Sequence, residues 1–192
     1  MEKDQVLALF RQHDALLEGH FKLSSGKHSP VYLQCALVMA HPATADALCA
    51  ALARKVRDRG LSVDLVVSPA MGGIVVGYEM GRQLGCPALF SERVDGAMAL
   101  RRGFTIPQGS RVLLVEDVVT TGLSSRECMA CIEANGGRTV AAACLIDRSN
   151  GRVDLGVDCI SLAAIDAPIY EPEALPAELA AVPAVKPGSR VG

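Results

Sequence analysis

The chain has 192 residues, half of them hydrophobic, and a formal net charge of -2 at pH 7. This length suits a single domain with a substantial core, and the near-neutral charge argues against a disordered chain or a general polyanion binder. We therefore expect no nucleic-acid partner, and any basic site must be local. The charged N-terminus and the lack of a long apolar segment predict neither a signal peptide nor a membrane span. Seven scattered cysteines are typical of buried thiols in a reducing compartment, so we expect a cytoplasmic protein.

Short apolar runs alternate with longer helical patterns along the chain, which indicates an α/β fold. Helices are predicted over residues 2–18, 42–59, 73–84 and 123–135. Strands are predicted over residues 63–67, 87–91, 111–116, 139–146 and 159–163. The runs VDLVV (63–67) and RVLLV (111–115) lack polar alternation, as expected of central parallel strands covered on both faces.

Two segments do not follow this alternation. Residues 19–39 carry turn residues between two partly apolar arms and predict a hairpin or small cap outside the main sheet. The tail from Ile165 is rich in Pro and Ala, and its prolines exclude a long helix. We expect the tail to wrap the surface or to complete the cap, within one domain spanning residues 1–192.

The stretch RVLLVEDVVTTGLSSRE, residues 111–127, places two acids at the end of a predicted buried strand. Ligands of open α/β sheets usually bind at this carboxyl edge. The hydroxyl residues and the glycine that follow mark a helix start, which is a ready site for a phosphate. Ser124 and Glu127 have the spacing of a capping box, but a cap alone does not require the whole string. The pattern therefore favours a phosphorylated sugar, with Glu116 and Asp117 accepting hydrogen bonds from its hydroxyl groups.

Other stretches carry weaker signals. Gly72 and Gly73 follow a predicted strand and allow the backbone to approach an oxygen-rich ligand, although turns often use such a pair. Arg148 follows another strand, where it is either a ligand contact or a solvated strand-end charge. Cys128 and Cys131 form a C-x-x-C pattern without a second Cys or His pair, which favours core packing over a metal or redox site.

Four apolar residues, two acids, two apolar residues and Thr-Thr-Gly together resemble the phosphoribosyl diphosphate (PRPP) motif of type I phosphoribosyltransferases. The segments 21–37, 68–85, 92–104 and 145–149 resemble successive parts of the orotate phosphoribosyltransferase family. The resemblance implies a mostly parallel central sheet flanked by helices. It also implies a small hood formed by about residues 19–40, with the tail 165–192 as a further candidate part.

The resemblance also implies roles for residues. Glu116 and Asp117 would contact the ribose hydroxyls, the loop from Thr120 to Ser124 would hold the 5-phosphate, and Thr120 with Arg148 would contact orotate. The full implied PRPP site consists of Gly72, Gly73, Glu116, Asp117, Val118, Val119, Thr120, Thr121, Gly122, Leu123 and Ser124. A planar guanidinium such as that of Arg148 suits the orotate carboxylate.

The chain departs from the better-known family pattern at Gly72 and Ser24, where the family has lysines. The candidate replacements are Lys22, Lys27 and His28 in the hood, and Arg93, Arg101 and Arg102 in residues 92–104. That glycine-bearing stretch lies between strands and is interpreted as a lid. Among its basic residues only Arg93 aligns plainly, and solvated loop charges are an equally good reading of Arg101 and Arg102.

The implied reaction transfers ribosyl 5-phosphate from PRPP to N1 of orotate, with Mg²⁺ held mainly through PRPP and no metal site built from side chains. The family pattern also implies a homodimer that shares its lids. Two alternatives remain open from the sequence: a phosphoribosyltransferase for another base, and a non-catalytic regulator that senses PRPP.

Overall fold

The computed structural model of the chain describes residues 1–23 and 25–186, so Ser24 and residues 187–192 lie outside the described part. The described helices are α1 (Lys3–Gln12), α2 (Cys35–Met39), α3 (Pro42–Asp58), α4 (Gly73–Leu84), α5 (Leu123–Ala134) and α6 (Ala177–Ala180). The described strands are β1 (Leu16–Lys22), β2 (His28–Leu33), β3 (Leu65–Pro69), β4 (Ala88–Val94), β5 (Ala97–Leu100), β6 (Arg111–Val119), β7 (Arg138–Asp147) and β8 (Cys159–Ala164).

Six strands form the main sheet in the order β5-β4-β3-β6-β7-β8. All neighbours are parallel except β4 and β5, which form an antiparallel hairpin at one edge. The strands β3 and β6 lie at the centre, as their continuous apolar runs predict. The expected α/β class with a mostly parallel sheet is confirmed.

Two apolar clusters cover the two faces of this sheet. On one face α1, α3 and α4 bury Phe10, Leu48, Leu52 and Met80, each with no exposed surface. On the other face α5 buries Cys128 and Ile132 against β3, β6 and β7, while Cys131 of the same helix is 6% exposed. The C-x-x-C pair is therefore part of the helix surface that packs on the sheet, as predicted.

The predicted hood is an antiparallel hairpin of β1 and β2, followed by the short helix α2. Two single bridges join this hairpin to the tail, Phe21 with Val185 and His28 with Tyr170. His20 and His28 are buried and share a 2.5 Å hydrogen bond, and His20 Nδ1 bonds the carbonyl of Val182 at 2.7 Å. Through residue 186 the tail thus completes the cap, with α6 as its one short α-helical turn.

The helix α1 and the strand β4 end at residues other than those that the sequence predicts, and β4 continues from the predicted end at 91 to Val94. The helix expected over 2–18 ends at Gln12, because Asp14 adopts a positive φ of 52° and residues 16–22 pair with β2. The expected lid at 92–104 begins as a hairpin, in which Asp95 and Gly96 both have positive φ and connect β4 to β5. This Asp-Gly turn is the conformation that two-residue hairpin loops favour.

Candidate active site

Three loops meet at the carboxyl edge of the central strands. They follow β3 at residues 70–72, β6 at 120–122 and β7 at 148–151. Because β3, β6 and β7 are parallel neighbours, these loops lie side by side. The backbone N–H of Arg148 donates to the carbonyl of Val119 at 2.9 Å and joins the second loop to the third.

Glu116 lies in β6, which continues to Val119 and is three residues longer than the sequence predicts. Its side chain is buried beneath the first turn of α5, where Oε1 accepts hydrogen bonds from Ser124 Oγ at 2.7 Å and Ser125 Oγ at 3.1 Å. Burial raises the pKa of Glu116 to about 7, an effect that the serine hydroxyls oppose and the neighbouring charge of Asp117 reinforces. Near neutral pH the carboxyl group of Glu116 is therefore divided between its neutral and charged forms.

Asp117 is half-buried, and its Oδ1 accepts a hydrogen bond from the N–H of Val118 at 2.9 Å. Burial raises the pKa of Asp117 as well. Side chains alternate across a strand, so the two acids point to opposite faces of the sheet. Glu116 faces α5, whereas Asp117 faces the loop after β3.

Gly72 is the residue of that loop closest to Asp117. A Cβ atom at position 72 would lie 2.5 Å from Asp117 Oδ2, closer than real contacts allow. A Cβ atom at Gly73 would lie 3.1 Å from the Cβ of Ser68 and 3.3 Å from the carbonyl oxygen of Val115. Any side chain at position 72 therefore requires the Asp117 carboxylate to move.

The loop after β6 leads directly into α5. Gly122 occupies the N-cap position with φ 73°, and a Cβ atom there would lie 2.7 Å from side-chain atoms of Val153 and Leu155. Gly122 has no side chain to cap the helix, and of the first-turn N–H groups that of Leu123 donates to Thr121 Oγ1 at 3.4 Å. Arg126 fixes the loop from behind by donating to the carbonyl of Thr121 at 2.6 Å. This geometry is typical of an anion site at a helix N-terminus.

The capping box expected from Ser124 and Glu127 is wrong. Ser124 lies inside the first turn of α5 and donates its hydroxyl to Glu116, which offers a stronger, partly charged acceptor. Glu127 instead forms an ion pair with Arg93 of β4. Both side chains therefore connect α5 to the sheet and do not cap the helix.

Arg148 extends from the loop after β7 toward the hood. Its Nη2 donates to Ser29 Oγ at 3.2 Å, with the carbonyl of Val31 at 3.5 Å. Its Nε is buried and has no hydrogen-bond partner among residues 1–23 and 25–186. Burial lowers the pKa of Arg148. A half-buried guanidinium with a buried, unpaired Nε suits an anionic ligand better than a solvated strand end.

The basic residues expected near the diphosphate are dispersed. Arg93 is held by Glu127 and by the carbonyl of Gly96 at 2.6 Å. Arg102 has φ 59°, pairs with Glu92 and lies 5.6 Å from the ring centre of Phe90, whereas Arg101 is exposed.

In the hood, Lys27 pairs with Glu171 at 2.6 Å, Lys22 is exposed and His28 is buried against His20. The structure therefore does not bring these basic side chains together with Glu116 and Asp117.

Sequence reasoning missed the role of Ser29, which is fully buried and supports the Arg148 guanidinium from the hood. A single serine before a proline carries no signal of a contact 119 residues away.

Within the described residues, no cluster of three or more His, Cys, Asp or Glu side chains has the proximity needed to hold a metal ion. In this described part of the chain, no helix combines the length and the hydropathy that a membrane crossing requires.

Comparisons with known proteins agree with this architecture. The family model of the phosphoribosyl transferase domain matches residues 38–171. The chain is 59% identical to an orotate phosphoribosyltransferase of Rhizorhabdus wittichii, over 99% of this chain and 97% of the relative. It is 58% identical to the orotate phosphoribosyltransferase of Sphingopyxis alaskensis, over 99% of this chain and 98% of that one.

Among solved structures, the fold matches the crystal structure of orotate phosphoribosyltransferase from Aeropyrum pernix. The TM-score is 0.68 at 25% identity, covering 83% of this chain and 93% of that one. By domain match, sequence identity and fold, this chain belongs to the phosphoribosyltransferase family and, within it, to the orotate phosphoribosyltransferases.

Proposed function

We propose that this protein transfers ribosyl 5-phosphate from PRPP to N1 of orotate, giving orotidine 5-monophosphate and diphosphate in de novo pyrimidine synthesis. The observation that carries the proposal is the meeting of three features at one sheet edge. These are the carboxylates of Glu116 and Asp117, the uncapped start of α5, and the half-buried Arg148. Relatives that are 58–59% identical over nearly the whole chain carry the same activity in their names.

In this assignment PRPP spans two of the three loops. Residues 120–124 hold the 5-phosphate with backbone N–H groups and hydroxyls at the start of α5. Glu116 and Asp117, on opposite faces of β6, accept hydrogen bonds from the ribose hydroxyls at this sheet edge. Gly72 and Gly73 leave room for the diphosphate beside Asp117, where added side-chain atoms would collide. The PRPP contacts thus come from backbone and carboxylate groups more than from lysines.

Orotate lies between the third loop and the hood. Arg148 binds its carboxylate, and Thr120 contacts the ring from the neighbouring loop. An uncharged purine gives the Arg148 guanidinium no counter-charge, and the cost of a buried unpaired donor then disfavours purines. Arg148 is therefore the residue that favours orotate over other bases.

The reaction needs no side-chain nucleophile. Diphosphate departs while positive charge grows on the anomeric carbon, so the protein must orient the two substrates, stabilise the leaving anion and exclude water. The oxygen donors of Glu116 and Asp117 fit Mg²⁺, which prefers oxygen ligands and retains water and phosphate oxygens. When bound, chiefly through PRPP, Mg²⁺ neutralises part of the phosphate charge.

Basic side chains of the hairpin would complete the site only after the hairpin moves. Arg93, Arg101 and Arg102 lie on or beside the β4–β5 hairpin, which we assign as the lid over the diphosphate. Its docked position here is held by the ion pair between Arg93 and Glu127. Release of that pair would free the hairpin to move toward bound PRPP.

We also propose that two copies form a homodimer. Met71, Val75 and Tyr78 recur at helical spacing beside the diphosphate loop and are 83%, 51% and 69% exposed. Met71 and Val75 also line an apolar cavity of about 480 Å³, together with Ala36, Met39 and Ala40 of the segment around α2. An exposed apolar surface that includes an aromatic side chain is typical of a protein interface. A second copy is the partner that the family pattern suggests.

Two broader assignments complete the proposal. Residues 1–192 act as one phosphoribosyltransferase domain, supported by the two apolar clusters that cover a single main sheet. The protein works in the cytoplasm, supported by seven cysteines that are all free thiols.

The test is a spectrophotometric assay of orotate consumption with PRPP and Mg²⁺, with adenine and hypoxanthine as competing bases. The proposal requires PRPP-dependent loss of orotate that purines do not inhibit at equal concentration. Turnover of a purine in preference to orotate would identify a phosphoribosyltransferase for another base. PRPP binding without any turnover would identify a regulator.

A further inference from the structure

Asp147, the last residue of β7, organises the turn that carries Arg148. The Asp147 side chain is buried, with 6% of its surface exposed. Its Oδ1 accepts hydrogen bonds from the N–H and the hydroxyl of Ser149, both at 2.7 Å, and its Oδ2 accepts one from the N–H of Gly151, also at 2.7 Å. Both oxygens of a single carboxylate therefore hold the backbone of the next four residues.

No ion pair links Asp147 to a cation in the part of the chain that the structure describes. A buried carboxylate without a counter-ion is stabilised by the hydrogen bonds that it accepts, and here three donors come from its own turn. Hydrogen bonds from backbone N–H groups to a nearby Asp side chain take the place of the backbone hydrogen bonds of a regular turn and fix the conformation of residues 148–151. Loss of the carboxylate would leave the N–H groups of Ser149 and Gly151 without this partner.

Arg148 lies within the turn that the Asp147 side chain closes. Its backbone lies between Asp147 and Ser149, and its N–H donates to Val119, the last residue of β6, at 2.9 Å. At the other end, the guanidinium rests on Ser29 of the hood at 3.2 Å. The direction of the unpaired Nε is therefore set by the turn on one side and by the hood on the other.

The same turn reaches the phosphate loop. The hydroxyl of Ser149 accepts a hydrogen bond from the N–H of Val153 at 3.1 Å. The Val153 side chain lies close to Gly122, where an added Cβ atom would be 2.7 Å from it. The turn thus lies between the base-recognising arginine and the phosphate-binding glycine.

We propose that Asp147 is a positioning residue that aims Arg148 at the carboxylate of the pyrimidine substrate. This inference rests on the proposed function, because it takes orotate as the ligand of Arg148. Asp147 itself touches no substrate and acts through the turn. A displacement of about 1 Å in a binding group lowers catalytic efficiency by up to about a hundredfold. A change in the turn that moves Arg148 should therefore have a measurable effect.

The primary test compares Asp147→Ala with wild type in steady-state assays. The KM for orotate is expected to rise by about tenfold to a hundredfold, while kcat at saturating orotate and the KM for PRPP stay near their wild-type values. Asp147→Asn keeps an acceptor for Ser149 but replaces the acceptor for Gly151, so its rise should be smaller. Ser149→Ala, which removes one donor, provides a milder variant if Asp147→Ala folds poorly.

Asp154→Ala is the matched control. Asp154 Oδ1 accepts a hydrogen bond from the N–H of Gly156 at 2.8 Å, the same kind of closure at an exposed position away from Arg148. This variant should keep the wild-type KM for orotate. Thermal unfolding of each variant separates a local effect from general loss of the fold.

The decisive measurement places Asp147→Ala in an Arg148→Ala background and follows kcat/KM for orotate at low orotate concentration. If Asp147 acts through Arg148, its substitution costs little once Arg148 is gone. An undiminished cost in that background, or an equal rise in both KM values in the single variant, would overturn the inference. Wild-type protein that does not convert orotate would instead contradict the proposed function on which the inference rests.

Discussion

Replacing Glu116 with glutamine tests the electrostatics of the acid pair. Glu116 is buried, and its pKa rises from the ordinary value of 4.5 to about 7 because burial disfavours its charged form. Because the folded state binds the Glu116 proton more tightly than the unfolded state does, this proton contributes to the free energy of unfolding. The contribution is complete below pH 4.5 and is lost as the pH rises through about 7. At about 1.4 kcal/mol for each pKa unit, the interval from 4.5 to about 7 corresponds to about 3 kcal/mol.

Glutamine has nearly the same shape and never ionises. The Glu116→Gln variant should therefore resemble wild type in its free energy of unfolding near pH 4.5 and exceed it above pH 7. The assay is urea denaturation at pH 5 and pH 8, where most of the difference of about 3 kcal/mol should develop. Glu133→Gln, at an exposed position on the same helix α5, is the control and should show no such trend. A Glu116→Gln advantage that is equal at both pH values would refute the reasoning.

Three further substitutions probe the rest of the site. Gly72→Ala places a Cβ atom 2.5 Å from Asp117 Oδ2 and should displace the Asp117 carboxylate. The KM for PRPP should then rise by about tenfold, which corresponds to about 1.4 kcal/mol of binding free energy. An unchanged KM would mean that the contact relaxes freely. Arg148→Lys removes the planar fork and should raise the KM for orotate by about tenfold or more in steady-state assays, with the KM for PRPP unaffected. Tyr78→Glu introduces a charge into the proposed dimer surface, and sedimentation velocity should then show monomers where wild type shows dimers; a dimer that persists would place the interface elsewhere.

The local signals in the sequence identified the main sheet well. The lack of polar alternation in the runs 63–67 and 111–115 predicted central parallel strands, and the structure places both β3 and β6 at the centre. The end of α1 and the start of β1 were missed, because residues 13–18 alone do not reveal that their partner is β2. Pairing with a distant segment overrides local helix propensity in such cases.

The β4–β5 hairpin shows a signal that was present but misread. Asp95-Gly96 followed by a short apolar run is typical of a hairpin turn, yet the stretch was interpreted as a lid without its own strand. Strand and lid are compatible descriptions, since an edge hairpin can move as a unit. Its docking on α5 includes the Arg93–Glu127 ion pair, which spans 34 residues of sequence.

For the candidate site, sequence reasoning identified the individual groups but not their partners. It identified Glu116, Asp117 and Arg148 from their places after predicted strands. It did not foresee that Glu116 binds two serines of α5, that Asp117 occupies the space at Gly72, or that Ser29 supports Arg148. These contacts depend on side-chain directions across separate elements, which spacing along one chain does not encode.

The central claim is that the acid pair on β6 and the loop behind it bind PRPP. Isothermal titration of PRPP in the presence of Mg²⁺ tests it most directly, comparing wild type with the double variant Glu116→Gln and Asp117→Asn. Saturable binding to wild type and a loss of about tenfold or more in affinity for a folded double variant are the expected results. Equal affinity in both proteins, or no heat of binding to wild type, would contradict the claim.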